Sequence, residues 1–134
     1  LWAGGYLGQS QGIWNVQSQR AQEAIVIETV EYDGANLAVY VRNVGTSTVK
    51  LNVIYIRGGT VDTTVLSSDA SFKFFENPMV STPSGDGTIV AKKLVRIEIT
   101  PPILPNRVLQ SGVSYRLELV TTLGADAAFI YVVP

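Results

Sequence analysis

From about residue 23 onward, apolar residues recur at every second position through most of the chain, the period of a strand that buries one face. The clearest run is 36–57, where Leu37, Val39 and Val41 alternate with Ala38, Tyr40 and Arg42. After a break at 43–48, Val49, Leu51, Val53 and Tyr55 repeat the pattern. Gly45 and small hydroxyl residues let the chain reverse between the two strands. This register turns Tyr40 and Arg42 outward and sets Ile54 and Ile56 on the second strand's other face. Apolar residues on both faces of one strand call for a second layer on each side, or for a neighbour's surface on one of them.

The same reading extends along the chain. A first strand over 23–32 ends at Asp33-Gly34, and a short one over Val61–Leu66 follows Gly58-Gly59. In 67–75, Phe72 and Phe74 share one face and Phe75 takes the other. Pro78, Pro83, Gly85 and Gly87 mark 77–88 as a loop. Residues 89–100 form a strand or a bulged pair, with Val95, Ile97 and Ile99 opposite Arg96 and Glu98, before Pro101, Pro102 and Pro105 stop it. In 114–122, Tyr115, Leu117, Leu119 and Thr121 oppose Arg116, Glu118 and Val120, and Gly124 turns the chain. The last strand, 127–133, is apolar at every position and is expected to be covered on both sides.

Seven or eight short strands with turn signals between them predict an all-β fold, an antiparallel two-sheet β-sandwich with an Ig-like Greek key, over 23–134. Val39, Val41, Leu51, Val53, Ile97, Leu117, Leu119 and Phe129 are its expected core. A cupin-like jelly roll fits less well, because its metal sites usually draw on histidines and this chain has none.

Residues 1–22 differ from the rest. Trp2, Tyr6, Ile13 and Val16 fall on one side of a helix, but Gly4, Gly5, Gly8 and Gly12 weaken it by about 1 kcal/mol each relative to Ala. The expectation is a frayed or partly helical arm, either an ordinary mobile terminus or the end of a truncated helix that packs through Trp2, Tyr6 and Trp14 on something outside the chain.

Composition removes several function classes. The 134 residues suit one core rather than two. Ten Lys and Arg against 11 Asp and Glu give a net charge of −1, and the basic residues are scattered from Arg20 to Arg116, so no nucleic-acid footprint is visible. Without Cys there is no disulfide framework, and without His the usual near-neutral proton carrier and a common metal ligand are missing. No run reaches the roughly 18 to 20 apolar residues of a membrane helix. Asp62, Asp69, Asp86 and Asp126 sit at expected turns, where carboxylates satisfy backbone donors. Glu98 and Glu118 follow Arg96 and Arg116 by two residues, which points to cross-strand charge pairing rather than acid–base catalysis. Nucleophile elbows, phosphate loops and metalloprotease helices are absent from the sequence, so the expectation is a protein that is not an enzyme and uses no cofactor or metal.

Three passages resemble the archaeal type IV pilin-like family, which includes adhesive pilins, archaellum filament subunits and minor β-sandwich relatives. The opening LWAGGYLGQ is similar to the end of that family's N-terminal apolar helix. LAVYVRNVGTSTVKLNVIYIRGG resembles its paired strands around an Asn-x-Gly turn, with Asn43, Gly45, Val49 and Ile54 in the pattern. LQSGVSYRLELVTTLGADAAFIYV resembles the closing hairpin, with Gly112, Tyr115, Val120, Thr121 and Gly124 in matching places.

The resemblance implies a structural or adhesive subunit of an archaeal type IV pilus-like surface filament, extracellular and membrane-anchored in the full-length form by a helix ahead of Leu1. Its partners would be copies of itself or related pilin subunits, and surface-layer protein. Candidate assembly contacts are Trp2, Tyr6, Trp14, Tyr40, Ile54, Ile56, Ile130 and Val132. Two alternatives make other demands. An accessory archaellum or minor pilin-like protein would grip the surface layer or a motor component. A carbohydrate-binding module would need exposed aromatics aligned on one face or in a cleft, with Tyr40 and Tyr55 as contributors, although packing accounts for both more simply.

Overall fold

The computed structural model describes residues 23–34, 36–59, 61–99 and 109–134. The expected arm, with Trp2, Tyr6 and Trp14, lies outside the described residues. Nine strands follow in order: β1 (Ile25–Tyr32), β2 (Leu37–Asn43), β3 (Val49–Gly58), β4 (Val61–Leu66), β5 (Phe72–Phe75), β6 (Thr88–Ile89), β7 (Leu94–Ile99), β8 (Ser114–Thr121) and β9 (Asp126–Val132). They form two antiparallel sheets, one ordered β1-β2-β7-β5 and the other β4-β3-β8-β9, with β6 paired to the start of β3. This is the A-B-E-D and G-F-C order of an immunoglobulin-like sandwich with one further strand beside C. The expected Greek key is therefore present.

Period-two alternation fixes most of the packing. Leu37, Val39 and Val41 of β2, Val95, Ile97 and Ile99 of β7, and Tyr115, Leu117 and Leu119 of β8 all point into one core between the sheets. Phe72 and Phe74 join it, and Phe75 faces outward from its own sheet, as the sequence predicts.

The second half of β3 departs from the expected register. Leu51 pairs with Thr121 but Val53 pairs with Val120, so one extra residue is inserted at Asn52. Such a β-bulge inverts which side chains face the core. Val49 and Leu51 point inward before it, and Ile54 and Ile56 point inward after it, while Tyr55 turns outward. Val53 is buried too, only 4% exposed, but on the outer face between Leu66 and Val120. A second bulge, between Ile27 and Thr29 of β1, leaves Glu28 on the outer face, where Arg42 Nε meets its Oε2 at 2.6 Å.

Buried polar groups tie the ends of the sandwich. Asn43 is fully buried; its Nδ2 donates to the Ser47 carbonyl at 2.8 Å and the Ile89 carbonyl at 2.9 Å, and its Oδ1 accepts from Gly45 N–H at 3.0 Å. Thr121 Oγ1 donates to Glu23 Oε1 at 2.7 Å and accepts from Ala125 N–H, joining the start of the chain's described part to the β8–β9 turn. At the entry to β8, the Tyr115 hydroxyl accepts from Gln110 N–H at 2.8 Å, a corner built as in other immunoglobulin-like folds by a tyrosine near the start of the equivalent strand. Gly58 makes room for that tyrosine, since a Cβ there would sit 2.7 Å from Tyr115 Cδ1 and 2.4 Å from the Ser114 carbonyl oxygen.

Candidate assembly surface

On the outer face of the five-stranded sheet, strand pairing brings side chains into rows. Arg57 lies beside Asp62 and Arg116, Tyr55 beside Thr64 and Glu118, and Val53 beside Leu66 and Val120. Toward the far edge, Ala128 stands next to Glu118, Ile130 next to Arg116 and Val132 next to Ser114. The middle of the face is charged and internally paired: Arg57 Nε lies 3.2 Å from Asp62 Oδ1 and over the Tyr55 ring, and Arg116 Nη1 donates to Glu118 Oε1 at 3.0 Å. Arg116 and Glu118 thus pair along one strand rather than across strands, because neighbours two apart share a face.

The edge of the face is apolar. β9 alternates inward Ala127, Phe129 and Tyr131, packed against the core, with outward Ala128, Ile130 and Val132. Ile130 is 59% exposed and Val132 54%. The expected cover on both sides is therefore not supplied by this chain's described residues. Two adjacent β-branched side chains on an edge strand make a surface that a neighbour can desolvate.

The opposite face carries a different device. Arg96 projects from β7 over the Phe75 ring, 4.2 Å from its centroid, with Nε 3.2 Å from Glu98 Oε2. That last contact has the distance of an ion pair without hydrogen-bond alignment, since Arg96 Nε finds no hydrogen-bond partner. Its two terminal nitrogens donate to the Pro78 and Val80 carbonyls at 3.0 and 2.9 Å. The loop is held from both sides, and Met79 stands at its tip, 87% exposed. The sequence reading of 77–88 as a loop is correct but gave no sign of this grip, which joins residues 16 and 18 positions apart.

Of the candidate contacts, Ile130 and Val132 are exposed and adjacent on one face. Tyr40 is half-buried on the outer face of the other sheet, between Thr29 and Arg96. Ile54 and Ile56 are core residues, so they are corrected: the β3 bulge turns them inward and leaves no surface for a partner. The aromatic platform of the carbohydrate-binding alternative is also corrected, because Tyr40 and Tyr55 lie on opposite outer faces of the sandwich.

Three aspartates act as turn groups, whereas Asp62, expected at a turn, lies within β4 and pairs with Arg57. Asp33 Oδ1 accepts from Asn36 N–H at 2.7 Å, Asp69 Oδ1 from Ser71 N–H at 3.2 Å and Asp86 Oδ1 from Thr88 N–H at 3.1 Å. Hydrogen bonds from the Thr88 side chain and N–H, with a weaker pull from Lys50, hold the Asp86 carboxyl below the usual aspartate range. Among the described residues, no cluster of three or more His, Cys, Asp or Glu is placed to hold a metal ion. No helix among them is long and apolar enough to cross a membrane.

No protein-family model matches the chain. No curated protein matches it in sequence. Solved structures do match in fold. The archaellum periplasmic stator protein complex FlaF and FlaG from Sulfolobus acidocaldarius superposes with a TM-score of 0.60 at 18% identity, over 86% of this chain and 94% of that one. The archaeal flagellum of Methanospirillum hungatei strain JF1 gives 0.62 at 16%, over 94% of this chain and 74% of the other. Archaeal flagellin FlaB1 from Methanocaldococcus jannaschii gives 0.62 at 13%, over 84% and 90%. At these identities the likeness is one of fold: the chain shares the β-sandwich of archaellum filament and stator proteins.

Proposed function

We propose that this protein is a non-catalytic structural or adhesive subunit of an archaellum- or type IV pilus-like filament on the cell surface. The observation that carries the reading is the outward row Ala128, Ile130 and Val132, left uncovered by the chain's described residues in a fold shared with filament proteins. Covering apolar surface contributes on the order of 25 cal/mol per Å², so a modest repeated contact favours assembly once subunits are held close together. A charged, internally paired strip beside the row supplies the polar rim that a specific interface uses. The reading includes an extracellular sandwich, a membrane-anchoring N-terminal helix in the full-length form, and contacts from Trp2, Tyr6 and Trp14 with neighbouring subunits.

A second reading has its own support. The alignment spans 94% of the matched stator chain, so the likeness takes in nearly the whole of one component of that complex. An accessory protein of that kind would grip the surface layer or a motor component instead of repeating along a filament.

The two are separated by expressing the full-length gene in a competent archaeal host and analysing purified surface filaments by mass spectrometry, with a deletion strain as control. Stoichiometric presence in filaments is the expected result. Absence from every filament together with a stable complex with one surface-layer or motor protein would replace the subunit reading with the accessory one.

A further inference from the structure

The five-stranded sheet ends at β4 on the side away from β9. At the other end, β9 pairs only with β8 among the described strands and lies near β1 of the other sheet. Beyond β4, none of the described residues pairs with the strand.

Which backbone groups face that open edge follows from the hairpin. Gly58 pairs with Val61, Ile56 with Thr63 and Ile54 with Val65, and the ladder is extended by Ser67 N–H donating to the Asn52 carbonyl at 2.9 Å. Antiparallel pairs alternate between hydrogen-bonded and non-hydrogen-bonded. The bonded Asn52–Ser67 pair therefore makes Val65, Thr63 and Val61 point their backbone groups toward β3. The N–H and C=O groups of Asp62, Thr64 and Leu66 point outward. Natural edges are usually blunted by charged side chains, above all lysine, by proline or by a bulge; Val-Asp-Thr-Thr-Val-Leu has no lysine, proline or bulge, and its single charge is Asp62.

The strand also complements itself. In an antiparallel pair of two copies centred on Thr63, Val61 faces Val65 of the second copy, Asp62 faces Thr64, and Thr63 faces Thr63. Apolar meets apolar on the inner face, and on the outer face a carboxylate meets a hydroxyl. The outward hydrogen-bonding groups of Asp62 and Thr64 meet in register. Asp62 does not meet its own copy, and its charge is already offset by Arg57 at 3.2 Å.

We infer that β4 is a self-pairing edge: two copies of this chain join β4 to β4 about a two-fold axis at Thr63, making one continuous sheet across both molecules. Strand addition of this kind takes its affinity from main-chain hydrogen bonds and its register from the facing side chains. The surface is separate from the β9 row, so a chain that pairs through β4 without entering filaments keeps this inference and loses only the filament reading.

The test uses the 134-residue chain in sedimentation velocity over a concentration series, with circular dichroism to check folding. Wild type is expected to show a monomer–dimer equilibrium. Thr64→Asp, which sets carboxylates at 62 and 64 against each other twice, is expected to weaken dimerisation at least tenfold. The double variant D62K/T64D is expected to restore it, because opposite charges then face across the axis. The chain has no native cysteine, so crosslinking gives an independent readout. Thr63→Cys should form an intermolecular disulfide under mild oxidation, since non-hydrogen-bonded partners lie about 4.5 Å apart at Cα. Thr64→Cys should crosslink much more slowly, its copies being offset along the strands. A monomer throughout the series, a dimer indifferent to Thr64→Asp, failure of the folded double variant to recover, or faster crosslinking at 64 than at 63 would each overturn the proposal.

Discussion

Asn43 Nδ2 lies 2.9 Å from the Ile89 carbonyl oxygen, so one buried side chain joins the end of β2 to the short strand β6, 46 positions later. The same amide holds Ser47 O and Gly45 N–H, and so sets the turn into β3. Replacing Asn43 by Ala removes three hydrogen bonds; the Gly45 N–H keeps the Ala24 carbonyl at 3.1 Å and the Ser47 carbonyl is only part-buried, so the main loss falls on the buried Ile89 carbonyl. Losing a buried partner costs about 1 to 3 kcal/mol, and a drop in that range is expected. Urea unfolding should show this as a lower midpoint at unchanged slope.

The bulge in β3 makes a sharp contrast between neighbours. Ile54→Ala should cost about 2 to 5 kcal/mol, in the range expected for the core residue Leu117, because Ile54 is fully buried between the sheets. Tyr55→Ala, one position on and outward, should cost about 1 kcal/mol or less. Equal costs, or a larger one at Tyr55, would mean that β3 keeps a single alternation throughout.

Tyr115→Phe keeps the ring in the core and removes only the acceptor for Gln110 N–H. A loss of about 1 kcal/mol in unfolding free energy is expected. Hydrogen exchange at the Gln110 amide should accelerate while β8 amides keep their protection.

These contrasts also mark where the sequence is readable. The Val39, Val41, Ile97 and Leu117 rows were legible because a strand without irregularity repeats every two residues. The far half of β3 was not: Val53 and Ile54 are both apolar, so nothing in composition reveals that Asn52 is the inserted residue. In β9, alternation was masked because residues on both faces are apolar, and apolar composition does not say whether cover comes from the same chain. Met79's presentation depends on Arg96 reaching carbonyls far along the chain, a contact that local patterning does not contain.

Asp86 gives the fold a pH-sensitive element. Its carboxyl titrates lower in the folded chain than in the unfolded one, so the ionised form stabilises the native state above the ordinary aspartate range. That contribution is lost as pH falls through the folded titration. Wild type should melt above Asp86→Asn at neutral pH, and the gap should close in acid. Thermal unfolding of both proteins from neutral to strongly acidic pH checks this; a gap that stays constant or widens would contradict it.

The central claim is that the outward β9 row is covered by a neighbouring subunit. Its most direct test is filament incorporation of the full-length protein carrying Ile130→Glu and Val132→Glu, compared with wild type in the same deletion host. Both side chains are more than half exposed, so the folded sandwich should tolerate the change. The account predicts normal levels of folded protein in cells and loss of the variant from purified surface filaments. Incorporation of the double variant at wild-type levels would contradict it.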